Sequence, residues 1–249
     1  MTAMNIKRWL QALGASVALC AVHAHAGIVV AGTRVVFPAN EREVTIKITN
    51  EGAAPALVQA WVDSGGQNES PTHIDVPFTL TPPLFRLDAG KGQTLRMMQT
   101  GEPMPTDKES LYWLNVLEVP PKAAGDDTNK IQLAFRTRIK VMYRPEGLAG
   151  SATEARDKLS WVFKQTAPGK YALVATNPTP YVVNVGSISL KSDGKTYDAG
   201  AGYVLPGSHH AFPISSVDSA LGPDAVVLFS AIDDWGSSTQ VERAVSVKP

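Results

Sequence analysis

Alternation with a period of two runs through most of this chain, and it is cleanest in "IQLAFRTRIKVMYRP" (Ile131–Pro145). Ile131, Leu133, Phe135, Ile139, Val141 and Tyr143 share one parity, and Arg136, Arg138 and Lys140 share the other. A β-strand sends successive side chains to opposite faces, so this stretch predicts one long strand, apolar on one side and basic on the other. "IVVAGTRVVF", "EVTIKIT", "ALVQAWVD", "QTLRMMQ" and "SLYWLNVLEV" alternate in the same way before it. "KLSWVFK", "KYALVATN", "YVVNVGSISL", "YVLPGSHHAFPI", "AVVLFSAID" and "STQVERAVSV" follow it. Turn-forming clusters separate these runs about every ten residues, as in an antiparallel sandwich rather than an α/β sheet.

The chain therefore reads as all-β. "RPEGLAGSATEA" (Arg144–Ala155) breaks the pattern with Pro, Gly and small residues and is the natural linker. Its position predicts two β-sandwiches of about 100 residues each, over 27–147 and 148–249. Residues 1–26 read as a cleaved signal peptide. Lys7 and Arg8 form a basic start, "WLQALGASVALCAV" is too short to span a bilayer comfortably, and "AHA" (Ala24–Ala26) suits cleavage after Ala26. Cys20, the single cysteine, lies inside that segment, so the exported part holds together by packing without disulfides. Losing Lys7 and Arg8 moves the formal charge from +0 to about −2. No global basic field remains, which argues against a nucleic-acid binder.

Enzyme signatures are missing. "AGSAT" and "VGSIS" lack the second glycine of a nucleophile elbow, and "AGAGY" has no βαβ unit around it. Beyond residue 26 the histidines are His73, His209 and His210, and adjacent strand histidines face apart, a poor metal chelate. Asp126, Asp127, Asp233 and Asp234 fall in turns, where Asp caps backbone groups. No catalytic residue, metal site or cofactor is expected. Trp61, Trp113 and Trp161 read as core residues, and Trp235 as an exposed turn residue.

The apolar parity of Ile131–Pro145 has two readings, as ordinary core or as an exposed sheet edge that serves another chain. The alternation leaves both open. On either, Arg136 and Arg138 read as solvated.

"LYWLNVLEVPP" (Leu111–Pro121) followed by "IQLAFRTRIKVMYRP" resembles the signature region of periplasmic pilus-assembly chaperones of the chaperone–usher pathway. "TRVVFP", "VQAWVD", "TPPLFRLDAGKGQTLRMM", "NPTPY", the proline of "VLPGS" and "AIDDWG" extend the resemblance, in order, over essentially the whole exported chain. It implies two immunoglobulin-like domains set in an L with a cleft between them. It also implies a periplasmic, non-enzymatic chaperone that stabilises pilus or fimbrial subunits by donor-strand complementation and delivers them to an outer-membrane usher. Arg34 and Lys140 match the family's cleft cations, which clamp the subunit's C-terminal carboxylate. Ile131, Leu133 and Phe135 match the residues donated to the subunit's groove, a known mode of strand addition. Glu109, Arg144 and Asp234 match a salt-bridge cluster between the domains, expected here as a surface network that sets their angle. Asp233 and Trp235 depart from the residues common in that last motif. An exposed apolar strand also allows a homodimer that caps its own edge. The competing class is a structural or adhesive two-domain module of a surface fibre, which leaves Arg34 and Lys140 without a joint role.

Overall fold

The computed structural model describes residues 27–66, 75–122, 132–214, 217, 221, 222 and 224–248. Residues 1–26, expected to be a signal peptide, and Asp126, Asp127, His73 and Ile131 lie outside the described residues. The first half carries β1 (Ile28–Val30), β2 (Arg34–Pro38), β3 (Glu43–Asn50), β4 (Ala56–Asp63), β5 (Phe78–Thr81), β6 (Leu84–Leu87), β7 (Gly92–Gln99), β8 (Ser110–Val119) and β9 (Phe135–Arg144). After a short helix, α1 (Ala152–Ala155), the second half carries β10 (Ser160–Ala167), β11 (Lys170–Asn177), β12 (Val183–Ser192), β13 (Lys195–Val204), β14 (Ser208–Ile214), β15 (Val226–Ile232), β16 (Ser238–Ala244) and β17 (Ser246–Lys248).

Each half closes as its own sandwich. The first stacks β1-β3-β7-β5 on β2-β9-β8-β4-β6, and the second stacks β14-β11-β10-β17 on β13-β12-β15-β16. Inward parities fill two separate cores. Phe37, Ile48, Val58, Leu95, Met97, Leu114 and Val141 build the first, and Trp161, Leu173, Ile188, Leu190, Val227 and Phe229 the second. At about 25 cal/mol per Å² of apolar surface removed from water, such burial is the main force holding each sandwich, with no disulfide needed.

Three segments read as single strands are broken, "STQVERAVSV" among them, which leaves β16 in one sheet and enters β17 in the other. "IVVAGTRVVF" is not one strand. Gly32 adopts φ 95°, a left-handed turn that lets the chain leave β1 in one sheet and enter β2 in the other. "YVLPGSHHAFPI" is also two strands, because Pro206 cannot donate to a ladder and Gly207, at φ 61°, turns the chain from β13 in one sheet to β14 in the other.

In the linker region, Gly147 and Gly150 sit at positive φ and the Ser151 side chain caps α1 by accepting from Glu154 N. The "NPTPY" residues hold the neighbouring turn. Buried Asn177 donates to the carbonyls of Tyr181, Val204 and Leu205, and the Tyr181 hydroxyl donates to those of Leu148 and Gly150.

Candidate functional site

β9 is covered unevenly. β8 pairs with it from Phe135 to Tyr143, whereas β2 pairs only from Lys140 to Arg144. From Phe135 to Ile139 the second side of the strand has no strand partner among the described residues, so its backbone groups on that side form an open edge. Phe135 there is 62% exposed and Leu133, just before the strand, 60%, while Ile139, Val141 and Tyr143, on the same parity, are buried in the first core. A single alternating pattern thus splits into a solvent-facing half and a core half.

The edge stops at two cations. β2 runs parallel to β9 in the register Arg34↔Lys140, which sets the two side chains on neighbouring strands of the outer face. Lys140 Nζ donates to Asn184 Oδ1 at 2.8 Å and lies 4.8 Å from the centre of the Tyr203 ring and 5.7 Å from that of Trp113. Arg34 Nη1 donates to the carbonyl of Ile232 at 3.1 Å. Neither forms an ion pair with a carboxylate among the described residues. Burial, with a smaller push from the Arg34 charge, lowers the Lys140 ammonium to about 8. Burial also lowers Arg34, against the pull of Asp234 and Asp233.

Arg136 and Arg138 behave differently from the sequence expectation. They are not merely solvated. Arg138 donates to Asp63 at 2.5 Å with its guanidinium 4.4 Å over Trp113, and Arg136 donates to Asn115 and Asp63 while lying over Trp61. Asp63 has 0% exposure, and it also accepts from Asn115 Nδ2 and Gly65 N. A carboxylate without solvent calls cations to itself, and flat guanidiniums cover the indole faces as they reach it. Trp61 and Trp113 consequently line the outer face rather than the core; Trp161 is the core tryptophan. The parity rule offered a signal for this, since Asp63 shares the outward parity of β4 with Trp61. Asn184 and Tyr203 had no signal in the sequence.

Glu109, Arg144 and Asp234 meet where the sandwiches join. Arg144 Nε donates to Glu109 Oε1 at 2.5 Å, and its two terminal nitrogens donate to Asp234 at 2.7 and 2.9 Å. Glu109 Oε2 accepts from Val182 N at 2.6 Å, and Glu109 N donates to Pro180 O. Glu109 is 3% exposed, so the expected surface network is instead centred on a buried carboxylate. Burial raises the Glu109 carboxyl against the pull of Arg144. Burial alone would lower Arg144, yet its bonds to Asp234 and Glu109 raise it overall. Asp233 takes no part in this cluster and caps the turn by accepting from Trp235 N and Ser237 N, leaving Trp235 93% exposed.

The sequence matches two family descriptions in succession: "Pili and flagellar-assembly chaperone, PapD N-terminal domain" over residues 27–149 and "Pili assembly chaperone PapD, C-terminal domain" over residues 154–243. This chain belongs to the PapD-like pilus-assembly chaperones. Among them, the chaperone protein FimB/FhaD of Bordetella pertussis is 42% identical over 252 residues, covering 96% of this chain and 99% of that one. The probable fimbrial chaperone YadV of Escherichia coli K12 is 42% identical over 219 residues, covering 86% and 88%. Its crystal structure matches with a TM-score of 0.75 at 38% identity over 88% of this chain and 99% of that one. A chain from the complex of Salmonella enterica SafA pilin with the SafB chaperone matches with a TM-score of 0.71 at 29% identity, over 88% and 96%.

Proposed function

We propose that this PapD-like chaperone lends the open edge of β9 to a pilus or fimbrial subunit and uses Arg34 and Lys140 to hold the subunit's C-terminal carboxylate. The observation that carries the reading is the juxtaposition on one strand. An unpaired edge with exposed Leu133 and Phe135 runs into two half-buried cations that lack a carboxylate partner. Charge-assisted hydrogen bonds from such cations to a chain terminus fix its position, and every second residue along the edge then falls opposite a groove lacking a strand. Ile131 continues that parity by sequence. Main-chain pairing supplies affinity and the apolar side chains supply register.

The chaperone acts in the periplasm, stabilises subunits by donor-strand complementation and hands them to an outer-membrane usher. No nucleotide is needed for the exchange, because one donated strand replaces another. Residues 1–26 serve as the export signal with cleavage after Ala26, 27–147 form the subunit-binding domain, and 148–249 the second domain. Glu109, Arg144 and Asp234 set the angle between them. The protein works without a catalytic residue.

The test is periplasmic co-expression of a subunit from the same operon with wild-type or Lys140→Ala chaperone. A one-to-one complex with the wild type and its loss with a folded variant support the carboxylate anchor. Equal recovery by both refutes it.

A further inference from the structure

Two ladder rungs face each other across the junction of the sandwiches. In the first domain the register sets Arg34, Lys140 and Trp113 side by side on β2, β9 and β8. In the second domain it sets Ile232, Asn184 and Tyr203 side by side on β15, β12 and β13. The two rungs match member for member. Arg34 donates to the carbonyl of Ile232 at 3.1 Å, Lys140 to Asn184 at 2.8 Å, and Trp113 meets Tyr203 edge-on at 6.0 Å.

The partners chosen for Lys140 are all neutral. Of the four cations on the outer parity of β9, Arg144 pairs with Glu109 and Asp234, and Arg136 and Arg138 occupy the buried carboxylate of Asp63, with Asn115 and Gly65 taking its remaining acceptor positions. Lys140 receives an amide oxygen and two aromatic faces. An ammonium has three N–H donors, and a single acceptor leaves two for a ligand. The ring faces attract the cation without neutralising it. Asn184 Nδ2 points to the Met142 sulfur at 3.4 Å, which turns the amide oxygen toward Lys140.

We propose that Asn184 and Tyr203 of the second domain, with Trp113 of the first, are positioning residues that hold Lys140 aimed and without a carboxylate partner, so that the second domain is part of the carboxylate receptor and not only its support. The proposal rests on the reading of Lys140 as the subunit anchor. It makes the strength of the anchor depend on contacts across the domain junction. A carboxylate placed at position 184 would satisfy the ammonium internally and compete with the subunit's chain end.

Three variants test this beside Lys140→Ala: the near-isosteric Asn184→Asp and Tyr203→Phe, and Tyr203→Leu, which removes the ring. Two quantities are read on each folded full-length protein. One is capture of the same-operon subunit in the periplasm. The other is the titration of the Lys140 side chain in the free chaperone, followed by NMR with labelled lysine and assigned by the signal that Lys140→Ala removes. Asn184→Asp is expected to move the Lys140 midpoint up from about 8 toward its ordinary 10.5 and to lower capture at least tenfold. Tyr203→Phe keeps the ring face and should capture within about twofold of wild type, whereas Tyr203→Leu should lose about threefold to fivefold. Wild-type capture and an unmoved Lys140 midpoint in both Asn184→Asp and Tyr203→Leu, with capture lost in Lys140→Ala, would overturn the positioning role and leave the anchor standing. Wild-type capture by Lys140→Ala would instead remove the anchor, and this proposal with it.

Discussion

Arg144→Ala probes the junction between the domains at its most sensitive point. Glu109 is 3% exposed, and its two oxygens accept from Arg144 Nε at 2.5 Å and Val182 N at 2.6 Å. Removing the guanidinium leaves a carboxylate in the interior with one donor. Breaking a buried pair from one side costs about 3–5 kcal/mol. Arg144 is itself 23% exposed along its side chain, which favours the lower end, about 3 kcal/mol. Its contacts to the more exposed Asp234 add at most about 1 kcal/mol. Urea unfolding followed by the fluorescence of Trp61 and Trp113 in one domain and Trp161 and Trp235 in the other reads the effect on each. With a slope of about 1–3 kcal/mol per M, the midpoint should fall by about 1–3 M. The double variant Glu109→Gln/Arg144→Met removes both charges and should cost less than Arg144→Ala alone. pH adds a second check. The folded Glu109 carboxyl titrates above its unfolded value, so its contribution favours folding at low pH and is lost as pH rises through the folded value. Without Arg144 that value climbs further, and the deficit of Arg144→Ala should be larger at pH 7 than at pH 4. A cost under 1 kcal/mol, or a double variant as costly as the two singles together, would refute the reasoning.

Lys140 titrates near 8 in the folded chain and at 10.5 unfolded, so the unfolded state binds more protons between those values. Stability of the free protein should therefore rise with pH from about 8 to 10.5, while subunit affinity falls by up to about tenfold per pH unit above 8; thermal melts and calorimetry over that range check both, and flat profiles refute them. Phe135→Ser, at an exposed edge position, should leave the unfolding midpoint within about 0.5 kcal/mol of wild type yet weaken subunit capture strongly; an equal complex would show that the edge is not donated. Asp63→Ala strands Arg138 against Trp113 and should cost about 2–4 kcal/mol in urea unfolding, where a surface pair would cost under about 1.

What the sequence by itself determined was local and periodic. Strand side chains alternate because of backbone geometry, so β4, β8 and β11 could be bounded from the alternating pattern and its flanking turn residues as Ala56–Asp63, Ser110–Val119 and Lys170–Asn177. The motifs resembling chaperone signatures named Arg34, Lys140, Glu109, Arg144 and Asp234, and the fold brings them together in two clusters. Periodicity could not say which half of the strand around Arg136 faces its own core. That depends on how far β2 reaches along β9, and it stops at Lys140. Nor could parity distinguish an outer face in water from one against a second domain. Arg138, Trp113 and Met142 share a face that reads as surface in one sandwich, and only the docked rung of Tyr203, Asn184 and Ile232 turns part of it into an interior. Burial is a property of the whole chain's packing, and burial is what raises the Glu109 carboxyl and lowers the Lys140 ammonium from their ordinary values.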